Sequence, residues 1–176
     1  MPAPRVLAAL ITLCALPGAA LAAGEGEKQV AADLGFALAG VADKARSGVQ
    51  VGAEAAWGLN DSWAGHAGAS YAFLPGQPAG GLRHLTTVTL GATYSLDVVR
   101  WVPFVDLGLS VADLRGGSAS SQYLGPQVGL GADYLLSRGW SLAALARFDY
   151  LALRLRGSGD SRPWLTTIGL RLGRIF

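Results

Sequence analysis

The chain has 176 residues, about one domain's length. It is 51% hydrophobic and only 15% charged, yet outside its N-terminus no stretch has the roughly 18 unbroken apolar residues of a membrane-spanning helix. That leaves a compact soluble core or a membrane β-barrel, and a net charge of +2 is too small and too scattered to point to nucleic acid.

The N-terminus has the layout of a secretory leader. Arg5 supplies the positive start, residues 6–16 the apolar stretch, Pro17-Gly18 a break, and Ala20-Leu21-Ala22 a small-residue cleavage site. The predicted organisation is a cleaved signal peptide over 1–22, a short polar lead-in over 23–28 and one β-domain over 29–176. Cys14 is the only cysteine and lies in the leader, after a bulky Leu13 that does not suit lipid attachment. The mature chain then has no thiol for disulfides, thiolate metal sites or cysteine nucleophiles. No cofactor and no metal are expected.

From Gln29 onward the hydrophobic period is two. Val30, Ala32, Leu34, Phe36 and Leu38 share one face of the first strand. After a turn at residues 43–46, the second puts Val49, Val51, Ala53, Ala55 and Trp57 together. Asn60-Asp61-Ser62 makes a tight turn into Trp63, Ala67, Ala69, Tyr71 and Phe73. A Pro/Gly-rich loop precedes Val88, Leu90, Ala92 and Tyr94, and Trp101, Val105, Leu107, Leu109 and Val111 follow a turn at residues 97–100. The loop RGGSASS leads to Leu124, Val128, Leu130, Ala132 and Tyr134. Ser137-Arg138-Gly139 turns into Trp140, Leu142, Ala144, Ala146, Phe148 and Tyr150. The loop RLRGSGDSRP precedes the last strand, with Trp164, Ile168, Leu170, Leu172 and Phe176. This predicts eight strands joined by tight turns at one end and longer loops, of roughly eight to ten residues, at the other. Pro103 and Pro126 are expected near strand starts, where a missing donor is tolerated.

Residue size decides which face is the core. The opposite face is mostly Gly, Ala, Ser and Thr, a poor solvent coat, whereas 13 of the 15 aromatics fall on the apolar face, all but Phe104 and Tyr123. Trp57, Trp63, Tyr94, Trp101, Tyr134, Trp140 and Phe176 fall beside the tight turns or the terminus; Tyr71, Phe73, Tyr150 and Trp164 fall near the loops. Two aromatic girdles flanking small aliphatics match the two membrane–water interfaces. The predicted fold is therefore an all-β, eight-stranded antiparallel up-and-down transmembrane barrel. Strand eight must close on strand one, because hydrocarbon offers unpaired backbone groups no partner.

Two stretches carry a resemblance. RWVPFVDLGLS opens aromatic-x-Pro-aromatic before a glycine, and GLGADYLLSRGWSLAALARFDY is a Gly-rich strand, a short turn and a returning strand. Together with the aromatic C-terminus, they resemble the small eight-stranded outer-membrane barrels related to the OmpA transmembrane domain, OmpX and OmpW. The resemblance implies a bacterial outer-membrane location and contact with outer-membrane lipid. It also implies recognition of Phe176 by the barrel assembly machinery. That family's terminal signal usually has an apolar or aromatic residue two before the end; this chain has Arg174.

The polar face includes Asp33, Glu54, His66, Asp106, Asp133, Arg147, Asp149 and Arg171. An eight-stranded barrel is just wide enough for side chains to fill it, so these charges are expected to pair as an interior plug. Arg147 and Arg171 are expected to meet Asp149, Asp33 or neighbouring carboxylates. Acids outnumber arginines there, so further partners or a protonated or water-bridged carboxylate are expected. A narrow channel, or a passage for small apolar molecules as proposed for OmpW-like members, is the alternative reading. Some eight-stranded outer-membrane barrels deacylate lipid A with Ser, His and Glu. Here His66 and Ser70 stand about 13 Å apart along a strand, too far for a nucleophile–base pair, so no catalysis is expected. Basic loop residues around Lys44, Arg83, Arg115, Arg154, Arg156 and Arg162 would suit lipopolysaccharide phosphates, or simply solvent. With the chain ending at its last strand, no periplasmic peptidoglycan-binding domain is expected. The role expected is structural or of interaction type.

Overall fold

The computed structural model describes residues 25–41, 44–75, 83–96, 100–116, 119–157 and 162–176; the predicted leader lies outside them. Strand-forming alternation becomes nine segments: β1 (Lys28–Val41), β2 (Lys44–Gly58), β3 (Trp63–Leu74), β4 (Arg83–Ser95), β5 (Trp101–Gly116), β6 (Ala119–Ser137), β7 (Trp140–Tyr150), β8 (Leu153–Arg156) and β9 (Trp164–Ile175). Each pairs antiparallel with its neighbours. The ring closes where β1 pairs with β9, from Gln29↔Ile175 to Gly40↔Trp164. β7 and β8 both lie against β6, end to end, so nine segments form eight walls.

The lipid-type face points out. Leu90 and Leu130 are 63% exposed and Ile168 62%, while inward-facing His66 is 1% and Asp106 0% exposed. Phe104 and Tyr123, the two aromatics off the apolar face, are buried inside. No helix among the described residues is long and apolar enough to cross a membrane, a statement that does not bear on strands.

Three expectations need correction. Strand pairing outlasts the turn signals at the loop end: Lys44 to Arg46 belong to β2, and Ala119 to Ser121 to β6. Only two residues then separate β1 from β2, and two separate β5 from β6, so all but two residues of the expected long loop at residues 115–121 belong to strands. Arg154 and Arg156, placed in a loop from sequence, sit in β8 and pair with β6. Pro126 is not near a strand start but well inside β6, which begins at Ala119. Its missing donor coincides with a break in the neighbouring wall. Regular pairing stops at Gln127↔Asp149 and resumes at Leu124↔Leu153, with one extra residue on the β7–β8 side. Such a bulge is where a sheet tolerates proline.

Candidate functional site

The lumen is stratified. At its middle, two guanidinium groups from adjacent strands meet three carboxylates, Asp33 on the neighbouring β1, Glu54 on β2 and Asp106 on β5. Arg147 (β7) reaches Asp33 and Asp106 at 3.4 Å each and hydrogen-bonds Glu54. Arg171 (β9) donates to Asp33 and to Glu54, both at 3.0 Å. Its guanidinium also lies 5.5 Å from the centre of the Phe104 ring. The alternation that turns the hydrocarbon side chains outward drives these charges in, where desolvation leaves them no choice but mutual pairing. Asp106 additionally accepts from Thr93 Oγ1 at 2.7 Å, and that hydroxyl stands 3.0 Å from His66 Nδ1.

The remaining predicted residues sit elsewhere. Asp149 forms no ion pair with either arginine; it accepts a hydrogen bond from Ser110, which lies 3.2 Å from Thr89. Of the partners expected for the two arginines, Asp33 is met and Asp149 is not, because Arg147 extends across the lumen to Glu54, away from its own strand. Asp133 lies below the ionic layer, at the turn end, beside Ser141, which accepts from Gln29 Nε2 at 2.9 Å. His66 and Ser70 have separate partners, Thr93 and Thr87, so no Ser–His pair forms. Uncharged residues that sequence reasoning passed over complete the network: Gln29, Thr87, Thr89, Thr93, Ser110 and Ser141, with Thr167 Oγ1 donating to Gln50 Oε1 at 2.5 Å. Their only signal in the sequence is that they share the inward phase.

Above the ionic layer is a polar cavity of about 20 Å³ between Gln50, Thr87, Gln127 and Asp149, room for about one water molecule. Above that, toward the loop end, the interior becomes apolar: Ala37, Ala39, Leu74, Leu85, Leu114, Tyr123, Leu151 and Leu165 pack together. Leu74 and Leu151 are wholly buried. Below the ionic layer a cavity of about 70 Å³ opens among Gln29, Trp57, Asp61, Val102, Asp133, Ser141 and Ile175. The lumen is thus a recess at the turn end, backed by an ionic layer and capped at the loop end by packed hydrocarbon.

Outside, aromatics pair across strands at the turn end. Trp63 meets Tyr94 at 5.1 Å and Trp101 meets Tyr134 at 5.0 Å between ring centres. Trp57 lies over Gly65, its cross-strand neighbour, where a Cβ would strike the indole. Trp140 stands beside Arg174, with Phe176 just beyond. At the loop end Trp164 lies 6.4 Å from Phe148, and Tyr71 hydrogen-bonds His84. Among the described residues no cluster of three or more His, Cys, Asp or Glu has the geometry to hold a metal ion.

A family model described as "Outer membrane protein beta-barrel domain" matches residues 6–176. A search of curated proteins returns no match in sequence. Among solved structures, the chain is similar to Neisserial surface protein A, with TM-score 0.70, 20% identity, 84% of this chain and 99% of that chain covered. The N-terminal barrel of Pseudomonas aeruginosa OprF aligns with TM-score 0.57 and 19% identity over 87% of this chain and 99% of that one. Ail, the attachment invasion locus protein of Yersinia pestis, solved with the heparin analogue sucrose octasulfate, aligns with TM-score 0.57 and 15% identity over 86% and 99%. At these identities the structures share the fold.

Proposed function

The chain belongs to the outer-membrane protein β-barrel family, and from that membership we propose that it is a structural or interaction-type barrel with a closed lumen. The observation that carries this reading is the pair of barriers in series. A permeating ion would have to separate the Arg147 and Arg171 pairs and then cross packed Leu74, Leu151 and Leu165. Wide aqueous channels come with 16 or more strands; eight leave an interior that side chains fill. The narrow-channel reading would begin at the turn-end recess, but that recess ends at the ionic layer.

On this reading the leader over 1–22 exports the chain and is removed. The turn end, with both β1 and β9 termini, faces the periplasm. Phe176 is the residue the assembly machinery reads, and Trp57, Trp63, Tyr94, Trp101, Tyr134 and Trp140 form the belt at the periplasmic interface, with Trp164 at the outer one. At the loop end Arg115, Arg154 and Arg156 are exposed on the outer surface, where lipopolysaccharide phosphates are their natural contacts. Ail, which shares the fold, was solved in complex with the heparin analogue sucrose octasulfate. No catalytic role is assigned, since His66 and Ser70 are engaged with different hydroxyls inside the barrel.

Planar-bilayer recording of the refolded barrel tests the reading. The expected trace stays at the lipid baseline, and reproducible stepwise conductance would replace the closed barrel with the channel.

A further inference from the structure

Of the two arginines of β9, Arg174 is the one that does not face the lumen. It follows Ile168, Leu170 and Leu172 on the outward face and is cross-strand to Trp140 on one side and Val30 on the other. Its guanidinium carbon lies 5.2 Å from the Trp140 ring centre and 5.8 Å from that of Phe176. Nε is buried without a hydrogen-bond partner, and Arg174 takes no part in the ionic layer of the lumen. The two lumen arginines, by contrast, are surrounded by carboxylates. A fixed cation on the hydrocarbon-facing wall, close to the end of its strand, calls for an anion at the height of the headgroups.

The surroundings favour one. Contact with two rings restrains the guanidinium plane and leaves its in-plane N–H groups as the route to acceptors. Arg138, in the turn before Trp140, is exposed, and so are Lys28, whose backbone pairs with Phe176, and Arg100, in the next turn along the rim. These four cations follow one another along the turn before β5, the β6–β7 turn, β9 and β1. Phosphate is an acceptor that the planar donor fork of arginine takes bidentately, and a phosphate at this height belongs to a lipid headgroup.

We propose that Arg174, held between Trp140 and Phe176, forms a binding site for the phosphate of an anionic glycerophospholipid in the leaflet at the turn end. The assignment of leaflet rests on the family-based orientation above. Arg174 then snorkels no further than its own strand, and Arg138, Lys28 and Arg100 add the field that favours a net negative headgroup over a zwitterionic one.

The test is native mass spectrometry of the refolded, detergent-solubilised chain titrated with phosphatidylglycerol or phosphatidylcholine of identical acyl chains. The wild-type barrel is expected to bind phosphatidylglycerol about fivefold more tightly, the increment of one well-placed cation. Arg174→Gln should bring the two lipids close to parity, Arg174→Lys should restore part of the preference, and Arg154→Gln at the other rim should leave it intact. Heat-modifiable gel migration verifies that each variant is folded. Should Arg174→Gln fail to fold, Trp140→Leu, which removes one ring and keeps the charge, is expected to weaken the same preference. A wild-type barrel without lipid preference would overturn the site, as would a folded Arg174→Gln that keeps it. An Arg174→Gln that only slows assembly would do so too. Lipid A competing at Arg174 more strongly than phosphatidylglycerol would overturn the leaflet. None of these outcomes depends on conductance, so the site and the closed-lumen reading fail separately.

Discussion

Taking one guanidinium out of the lumen leaves carboxylates with nowhere to send their charge. Arg171 has a side chain only 4% exposed, and it serves both Asp33 and Glu54. Arg171→Met would remove the cation and keep most of the volume, at a cost of about 3–5 kcal/mol, the usual penalty for breaking a buried pair. Urea unfolding in lipid vesicles, followed by tryptophan fluorescence, should show the midpoint fall. Adding Glu54→Leu should recover part of the loss, and an unchanged midpoint in the single variant would mean that the layer is not structural. At this scale the sequence showed which residues face inward but not whom they meet. Arg147 and Glu54 are 93 residues apart, and only the stagger of the closed barrel sets them at one height. That stagger is absent from any local pattern, so Arg147, two residues away, looked a better partner for Asp149 than Ser110 did.

Among elements, the β1–β9 seam carries the closure. Gly35 and Gly169 stand opposite each other there, and a Cβ on Gly169 would fall 2.7 Å from the Gly35 Cα, too close for either backbone to stay in place. Gly169→Val is expected to leave the other hairpins competent and the ring open. Its readout is the fraction of protein that migrates faster unboiled than boiled, which should drop severalfold from wild type; full retention would show that the seam flexes. The strands themselves were legible because lipid and lumen impose opposite chemistry on alternate residues. Their ends were not. Pairing ran on through Gly116 and Ala119 because inward Leu114 and Tyr123 still had a core to enter, and that core is a tertiary fact. The β7–β8 break was equally hidden, since one inserted residue leaves no mark beyond a proline on the neighbouring strand.

The whole molecule is asymmetric along its axis, and its apolar cap is the half of the interior that a polar-lumen rule misses. The signal was there as lost alternation: Phe73-Leu74, Tyr150-Leu151 and Trp164-Leu165 each put one large apolar residue out and the next one in. If the cap and the ionic layer are independent barriers, opening one should not suffice. Leu74→Ala with Leu165→Ala, each change costing about 2–5 kcal/mol of core packing, should keep the bilayer trace at baseline. Adding Arg147→Ser and Arg171→Ser should produce a leak, and a leak from the leucine pair by itself would make the ionic layer no barrier. The same cap has a consequence on the outside. Outward apolar residues on β5 and β6 stop at Val111 and Leu124, but the two strands stay paired for about another five residues, roughly 15 Å, with Asp113, Arg115, Ser120 and Gln122 along their outer face. What the barrel holds above the hydrocarbon on that side is a stiff, braced palisade. A partner that grips it meets a surface already in its bound shape, and little conformational freedom remains to be lost on contact.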